Sequence, residues 1–145
     1  MTPNTLMNAM PTAILRTPVV HRLMSGRYLL LTFTGRTTGR QYRTPVAYRR
    51  TGARLVLSTD SAWWRNLEAE PAVSVLLRGR QQAGIARRVT DPAEAATELG
   101  RLVQEVPGYR RAAGLSAQSG GGVSDDELLR AVTTERKVFT VAVES

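Results

Sequence analysis

The sequence contains no cysteine and only one histidine, His21. The lack of cysteine excludes disulfides, thiolate nucleophiles and cysteine-ligated metal sites. A Ser-His-Asp triad would have to use His21, and a zinc site built from several histidines is excluded. We interpret His21 as a helix-surface residue and predict no metal site.

The sequence also lacks a long apolar run. No segment reaches the roughly 18 to 20 apolar residues of a spanning helix. Near the N-terminus, Pro11, Arg16 and Pro18 interrupt the apolar residues, so we read no signal peptide and expect a cytoplasmic protein. Residues 1–26 read as a broken amphipathic helical segment. This segment either caps the core, forms a lid over a lipophilic ligand or makes a peripheral membrane contact.

Negative charge is scarce: 12 acidic residues oppose 20 basic ones, and the net charge is +8. Lys137 is the only lysine, so the positive charge is almost entirely arginine. This balance favours an anionic partner, although an arginine bias can also reflect genome composition. Because no recognition helix or aromatic strand platform is visible, we do not predict nucleic-acid binding.

Strand patterns dominate the middle of the chain. Runs rich in β-forming residues predict three strands as an antiparallel meander, at Tyr28 to Thr34, Tyr42 to Arg49 and Arg54 to Thr59. Thr51-Gly52 marks a hairpin within it. Further strands are predicted at Val73 to Leu77, Gln81 to Val89 and Lys137 to Val143.

Helices are predicted from capping signals. Asp60 or Ser61 is expected to cap a short helix through Leu67 that Pro71 terminates. Asp91 and Ser124 each start a capping box. The expected inward residues are Ala96, Leu99, Val103 and Val106 in the first of these two helices, and Leu128, Leu129 and Val132 in the second. A further helical turn is predicted at Tyr109 to Leu115.

Together these elements predict one α+β, mainly β domain over residues 27–145, preceded by the helical segment 1–26. About six antiparallel strands joined by tight turns, with helices inserted, fit a split β-barrel, which removes most exposed strand edges.

A basic turn framed by glycines follows the first predicted strand: Gly35-Arg36-Thr37-Thr38-Gly39-Arg40. Glycine permits a tight turn and a close approach of backbone to a ligand, and arginine is suited to phosphate or carboxylate. The turn can therefore present Arg36, Arg40 and Arg43, the hydroxyls of Thr37 and Thr38, and backbone N–H groups to an anion. The alternative is a solvated hairpin whose glycines only satisfy turn geometry.

Two adjacent tryptophans occur in the segment Trp63-Trp64-Arg65-Asn66-Leu67. On a helix they point about 100 degrees apart, so only one can lie fully in the core. The other can stack on a planar ring while Arg65 and Asn66 contact polar groups of the same ligand. Alternatively, both tryptophans simply pack against the protein.

The sequence resembles the deazaflavin-dependent nitroreductase and quinone-reductase family, whose members have a split β-barrel and use coenzyme F-420. The resemblance covers roughly residues 18–108, and the C-terminal strand also fits. It is carried by the strand and basic turn from Leu29 to Arg40, by Arg43-Thr44-Pro45-Val46-Ala47-Tyr48, and by Trp63 to Leu67 before Glu70-Pro71-Ala72-Val73.

By this resemblance, the strand and turn from Gly35 to Arg43 hold the phosphate and acidic tail of the coenzyme, and the segment from Trp63 to Asn66 flanks its deazaflavin ring. The implied cofactor-binding residues are Gly35, Arg36, Thr37, Thr38, Gly39, Arg40, Arg43, Thr44, Pro45, Trp63, Trp64, Arg65 and Asn66. Two departures place the chain in a divergent branch: Thr37 stands where many relatives have a basic residue, and the segment between Leu57 and Trp63 is short.

The resemblance implies an F-420-dependent oxidoreductase that transfers a hydride to a hydrophobic electrophile: a quinone, a nitroaromatic or an unsaturated lipid-like compound. Met24, Tyr48 and Tyr109 are the expected substrate contacts at a hydrophobic mouth, and Tyr48 is alternatively a barrel-wall residue. Two other readings remain: a noncatalytic carrier of a fatty acid or other apolar ligand on the same barrel, and an enzyme that uses FMN.

Overall fold

The computed structural model describes residues 27–116 and 122–143, and its strands form one curled antiparallel sheet. The seven strands in these residues are β1 (Tyr28–Thr34), β2 (Gln41–Ala47), β3 (Arg49–Thr51), β4 (Arg54–Thr59), β5 (Ala72–Leu77), β6 (Arg80–Arg88) and β7 (Lys137–Val143). The helices are α1 (Trp64–Ala69), α2 (Pro92–Glu105), α3 (Tyr109–Ala112) and α4 (Asp125–Thr134).

The spatial order of the strands is β2-β1-β5-β6-β7-β4-β3. The C-terminal strand β7 therefore pairs with β6 on one side and with β4 on the other. Strand β2 packs against β4 across the curled sheet, although the two strands are not paired by hydrogen bonds. The sheet is thus a half-barrel with a groove between β2 and β4, which confirms the predicted split-barrel fold.

The predicted meander of the first three strands is wrong. Strand β1 pairs with β2 and with the distant β5, whereas β4 pairs with the short β3 and with β7. The expected strand from Tyr42 to Arg49 is in fact two strands, because β2 ends at Ala47 and β3 begins at Arg49. This break at Tyr48 sends the β3–β4 hairpin to the far edge of the sheet and gives seven strands rather than about six.

Apolar residues on the two faces of the sheet form two packed layers. Inside the curl, Leu55 and Leu57 of β4 pack with Phe139 of β7 and the inward residues of the other strands. On the outer face, Val56 and Val138 pack against Leu99 of α2 and the helices around it. The alternation of Leu55, Val56 and Leu57 between these layers follows from the two-residue period of a strand.

The helix starts are confirmed at both capping boxes. The Asp91 carboxylate accepts a hydrogen bond from the Glu94 backbone N–H at 3.0 Å, and the Ser124 hydroxyl accepts one from the Glu127 N–H at 3.1 Å. The expected cap of α1 is wrong, since that helix begins at Trp64, its N-cap is Trp63 and no side chain caps it. The helical turn at Tyr109 is confirmed as α3.

The buried helix faces differ in part from the predicted ones. In α2, Leu99 is buried as expected, but Leu102 is also buried whereas Val103 is only half-buried. In α4, Leu128 and Ala131 are buried, and Leu129 is exposed. The predicted stripe of α2 is therefore confirmed and widened by Leu102, because Ala96 and Val103 also pack against the core. In α4 the prediction is wrong for Leu129.

None of the helices in the described residues has the length and hydrophobicity needed to cross a bilayer. The predictions for residues 1–26, including those for His21 and Met24, lie outside the described residues.

The contact between helix α2 and the sheet predicts a large effect of a core substitution. Leu99 is fully buried, so Leu99→Ala should lower the free energy of unfolding by about 2–5 kcal/mol. Thr97→Ala on the exposed face of the same helix is the matched control and should change it by less than about 1 kcal/mol. Urea denaturation followed by circular dichroism measures both, and equal effects would contradict the described packing of α2.

Candidate active site

The basic turn between β1 and β2 is closed by its own backbone. The Gly35 N–H donates to the Arg40 carbonyl at 2.7 Å, and the Gly39 N–H donates to the Gly35 carbonyl at 2.9 Å. Gly39 has a φ of +73°, a left-handed conformation that favours glycine. A Cβ on Gly35 would lie 2.6 Å from a ring carbon of Tyr42. Both glycines are therefore required by the shape of this turn.

The turn is joined to helix α1 through Asn66. The Asn66 side-chain oxygen accepts hydrogen bonds from the Arg36 backbone N–H at 2.9 Å and from the Arg36 guanidinium at 3.1 Å. The side-chain amide of Asn66 donates to the Trp63 carbonyl at 3.1 Å. Arg36, Asn66 and Trp63, which sequence reasoning had selected from two separate motifs, thus form one hydrogen-bonded unit.

The arginines of the basic turn carry uncompensated charge. Arg36, Arg40 and Arg43 are all exposed, and within residues 27–116 and 122–143 none of them forms an ion pair with a carboxylate. Thr37 is exposed as well. The Thr38 hydroxyl accepts a hydrogen bond from the Arg40 N–H at 3.2 Å and lies 3.1 Å from the Tyr42 hydroxyl, so part of its bonding capacity is used within the turn.

Trp63 lies between the core and a cavity. Its ring stacks on Phe33 with a centroid distance of 5.2 Å and an interplanar angle of 18°. Trp63 also lines a cavity of about 230 Å³ where β2 approaches β4. One tryptophan of the pair is therefore held by the core at the wall of a cavity.

This cavity brings together four of the predicted site residues, namely Thr44 and Pro45 of β2, Trp63, and Tyr109 of α3. Thr44 and Tyr109 are buried, whereas Pro45 and Trp63 are half-buried. Ser58 and Thr59 at the end of β4, together with Ser61 and Arg136, add further polar groups to its wall. The cavity thus combines an aromatic ring with hydroxyl and guanidinium groups.

Trp64 points to a different environment. The cationic groups of Arg65, Arg88 and Lys137 lie 5.4, 5.0 and 5.4 Å from the centre of its ring, within the range of cation–π interactions. Trp64 and Arg65 do not line the cavity that contains Trp63. The structure therefore places the two adjacent tryptophans in different environments.

The two tyrosines predicted as substrate contacts are also separated. Tyr48 is buried and lines another cavity, of about 400 Å³, together with Arg27, Arg49 and Arg78. Only Tyr109 lies beside Trp63.

Sequence comparison supports the resemblance independently. The family model described as F-420H(2)-dependent quinone reductase matches residues 9–118, more than half of the chain. The chain belongs to this family. It is therefore an oxidoreductase that uses coenzyme F-420, as its sequence resemblance implied. No curated protein matches the chain significantly.

Solved structures similar to this family member are distant in sequence. An F-420-H2-dependent reductase, FDR-A, has a TM-score of 0.57 at 19% identity, covering 79% of this chain and 93% of that one. A putative pyridoxamine 5'-phosphate oxidase from Listeria innocua has a TM-score of 0.55 at 12% identity, covering 88% and 91%. HutZ, the heme storage protein of Vibrio cholerae, has a TM-score of 0.54 at 14% identity, covering 88% and 89%. These likenesses support the fold alone.

The residues of this quinone-reductase family member fit coenzyme F-420. The coenzyme carries a phosphodiester, glutamyl carboxylates and a planar deazaflavin ring. Exposed arginines without carboxylate partners suit the anionic groups, and a cavity walled by Trp63 and Pro45 suits a planar ring. Asn66 ties these two parts together.

Sequence reasoning missed several polar residues of the cavity, among them Ser58, Thr59 and Arg136. Ser58 and Thr59 resemble ordinary strand residues, and Arg136 is one of many arginines in the sequence. They come together because β4 pairs with β7, and this long-range pairing was absent from the predicted meander.

The hydrogen-bonded unit of Arg36, Asn66 and Trp63 predicts a role for Asn66 in coenzyme binding. Asn66→Ala removes the acceptor that fixes Arg36 and should weaken F-420 binding about threefold to tenfold, as for the loss of a net hydrogen bond of ~1 kcal/mol. Asn66→Asp would supply a carboxylate to Arg36 and should weaken binding further. Fluorescence titration measures both, and wild-type affinity in the two folded variants would refute this role.

Proposed function

We propose that this enzyme transfers a hydride from reduced coenzyme F-420 to a hydrophobic electrophile, a quinone, a nitroaromatic or an unsaturated lipid-like compound. The observation that supports it best is the link through Asn66 between the exposed Arg36 and the cavity wall at Trp63. A ligand with an anionic tail and a planar ring can use both parts at once.

The basic turn would bind the anionic part of the coenzyme. Arg36, Arg40 and Arg43 are exposed and can offer forked N–H donors to phosphate or carboxylate oxygens. Gly39 keeps the turn free of a side chain at its tip, where an added Cβ would meet no other atom. The guanidinium donors are thus accessible from solvent, whereas the backbone N–H groups of Gly35, Arg36, Gly39 and Arg40 already donate hydrogen bonds within the protein.

The cavity would bind the ring and the electron acceptor. When bound, reduced F-420 supplies the hydride, so the protein has to orient the two partners and exclude water. Trp63, fixed by its stacking on Phe33, provides a rigid apolar wall. Pro45 and Thr44 form the opposite strand of the groove, and Tyr109 lies at the side that we assign to the electron acceptor.

The direct test is to mix the purified protein with reduced F-420 and menadione or a nitroaromatic and to follow oxidation of the coenzyme. We expect micromolar binding and turnover. Copurification of a fatty acid without F-420 affinity would favour the noncatalytic carrier instead. A yellow protein with flavin absorbance would favour FMN.

Substitution of the turn arginines should weaken coenzyme binding. Arg36→Ala and Arg40→Ala each remove a cation from the proposed anion site, so we expect the Kd for F-420 to rise about tenfold, the effect of roughly 1.4 kcal/mol. Arg54→Ala, at the exposed start of β4, removes the same charge elsewhere and is the matched control. If all three variants bind the coenzyme like the wild type, the turn does not bind its anionic tail.

A further inference from the structure

Arg136 is a buried cation between helix α4 and strand β7. Its residue exposure is only 8%. Its Nε donates to the Ser58 hydroxyl at 3.0 Å, and one terminal nitrogen donates to the Tyr109 hydroxyl at 3.3 Å. The Tyr109 hydroxyl in turn donates to the Ser58 carbonyl at 3.4 Å. The guanidinium is therefore held in place by neutral hydroxyl groups.

The charge of Arg136 is poorly compensated. Within the described residues its one carboxylate partner is Asp60, at 3.7 Å, and the Asp60 side chain is 64% exposed. Buried charges are normally paired with an opposite charge, and an exposed carboxylate at this distance is screened by water. The Ser58 and Tyr109 hydroxyls contribute no charge, and the Tyr109 ring, whose centre lies 5.8 Å from the guanidinium carbon, adds only a cation–π contact. A buried positive charge with so little compensation would be stabilised by a further anionic or electron-rich group.

Arg136 borders two cavities: one with Arg88 and Lys137, and the cavity of Trp63. Tyr109 and Ser58, its hydroxyl partners, line only the cavity of Trp63, together with Thr44 and Pro45 of β2. No residue in the described part of the cavity wall is acidic. A ligand in the cavity would thus meet a fixed cation beside an aromatic wall.

We propose that Arg136 binds the oxygen of the electron acceptor on which negative charge develops during reduction. This inference rests on the proposed function. It narrows the acceptor to a conjugated carbonyl or nitro compound, because an isolated carbon–carbon double bond offers no such oxygen. Tyr109 positions the guanidinium and forms the adjacent part of the same wall.

A cation beside the acceptor oxygen stabilises the negative charge that hydride transfer creates. A quinone acceptor gains a hydride, which is a proton with two electrons. The coenzyme loses this hydride and is thereby oxidised by two electrons. As the new bond forms, a π electron pair of the quinone moves onto its carbonyl oxygen. Arg136 stabilises this oxygen electrostatically until solvent protonates it. A fixed donor in a partly dry site requires no reorganisation during the reaction.

A binding experiment without coenzyme tests the site itself. The probe is p-nitrophenol, a planar phenol whose ionised form absorbs visible light. Binding beside a cation should lower its pKa by about one unit or more in the wild-type protein. Arg136→Met should abolish this lowering, and Arg136→Lys should retain part of it. Arg54→Met, at an exposed position, is the matched control and should behave like the wild type.

The variant Asp60→Asn should change the pKa of bound p-nitrophenol in the direction opposite to Arg136→Met. Loss of the Asp60 carboxylate removes the one ion-pair partner of Arg136 in the described residues, so the pKa of bound p-nitrophenol should fall further than in the wild type. Asp60→Asn keeps the guanidinium of Arg136, and Arg136→Lys keeps a positive charge at this position. Both variants therefore remain informative if Arg136→Met fails to fold. An unchanged pKa of the bound probe in the wild type, or the same pKa in all folded variants, would overturn the proposal.

Kinetics separate this role from a purely structural one. In Arg136→Met, kcat/KM for menadione should fall at least tenfold while the Kd for F-420 stays within about twofold of the wild type. Arg136→Lys should restore part of the loss. Equal losses in coenzyme binding and turnover would show that Arg136 only supports the fold. If the wild type lacks turnover altogether, the proposed function fails, and the p-nitrophenol experiment still tests Arg136.

Discussion

The pairing of the C-terminal strand β7 with β4 is the constraint on which the rest of the structure depends. It places Val138 beside Ser58 and Lys137 beside Thr59 at the end of β4. Arg136, the residue before β7, is thereby brought to Ser58 and Asp60. The same pairing fixes the strand opposite β2 and so defines the groove in which Trp63 lies. Both packed layers include residues of these two strands.

Local sequence patterns predicted most elements of the fold. The bounds of β1, β4 and β7 agree with the predicted strands, and Asp91 and Ser124 cap their helices as expected. These features depend on neighbouring residues and are therefore visible in a short window of sequence. Strand order was predicted less well, because the pairing of β1 with β5 and of β4 with β7 joins segments that are distant along the chain. Leu129 was expected to face the core but is exposed, so the local pattern also failed to identify every residue that packs against the sheet.

The sequence predicted the basic turn and the tryptophan segment as two separate parts of the candidate site, and the structure shows how they are joined. The glycine-framed turn and the tryptophan pair were recognisable by residue type, but Asn66 joins them through hydrogen bonds that no spacing rule indicates. Trp63 and Trp64 are adjacent in sequence, yet one lines the groove and the other lies among three cations. Arg136 could not be singled out, since its environment is created by tertiary contacts with Ser58 and Tyr109.

We propose that the groove beside Trp63 holds the coenzyme ring while the adjoining turn binds its anionic tail. The sequence contains only two tryptophans, so nuclear magnetic resonance of the two indole N–H groups during titration with F-420 tests it most directly. A Trp63→Phe variant assigns the signals. We expect a large, saturable shift of the Trp63 signal and a smaller one for Trp64. A shift confined to Trp64, or none at saturating coenzyme, would contradict it.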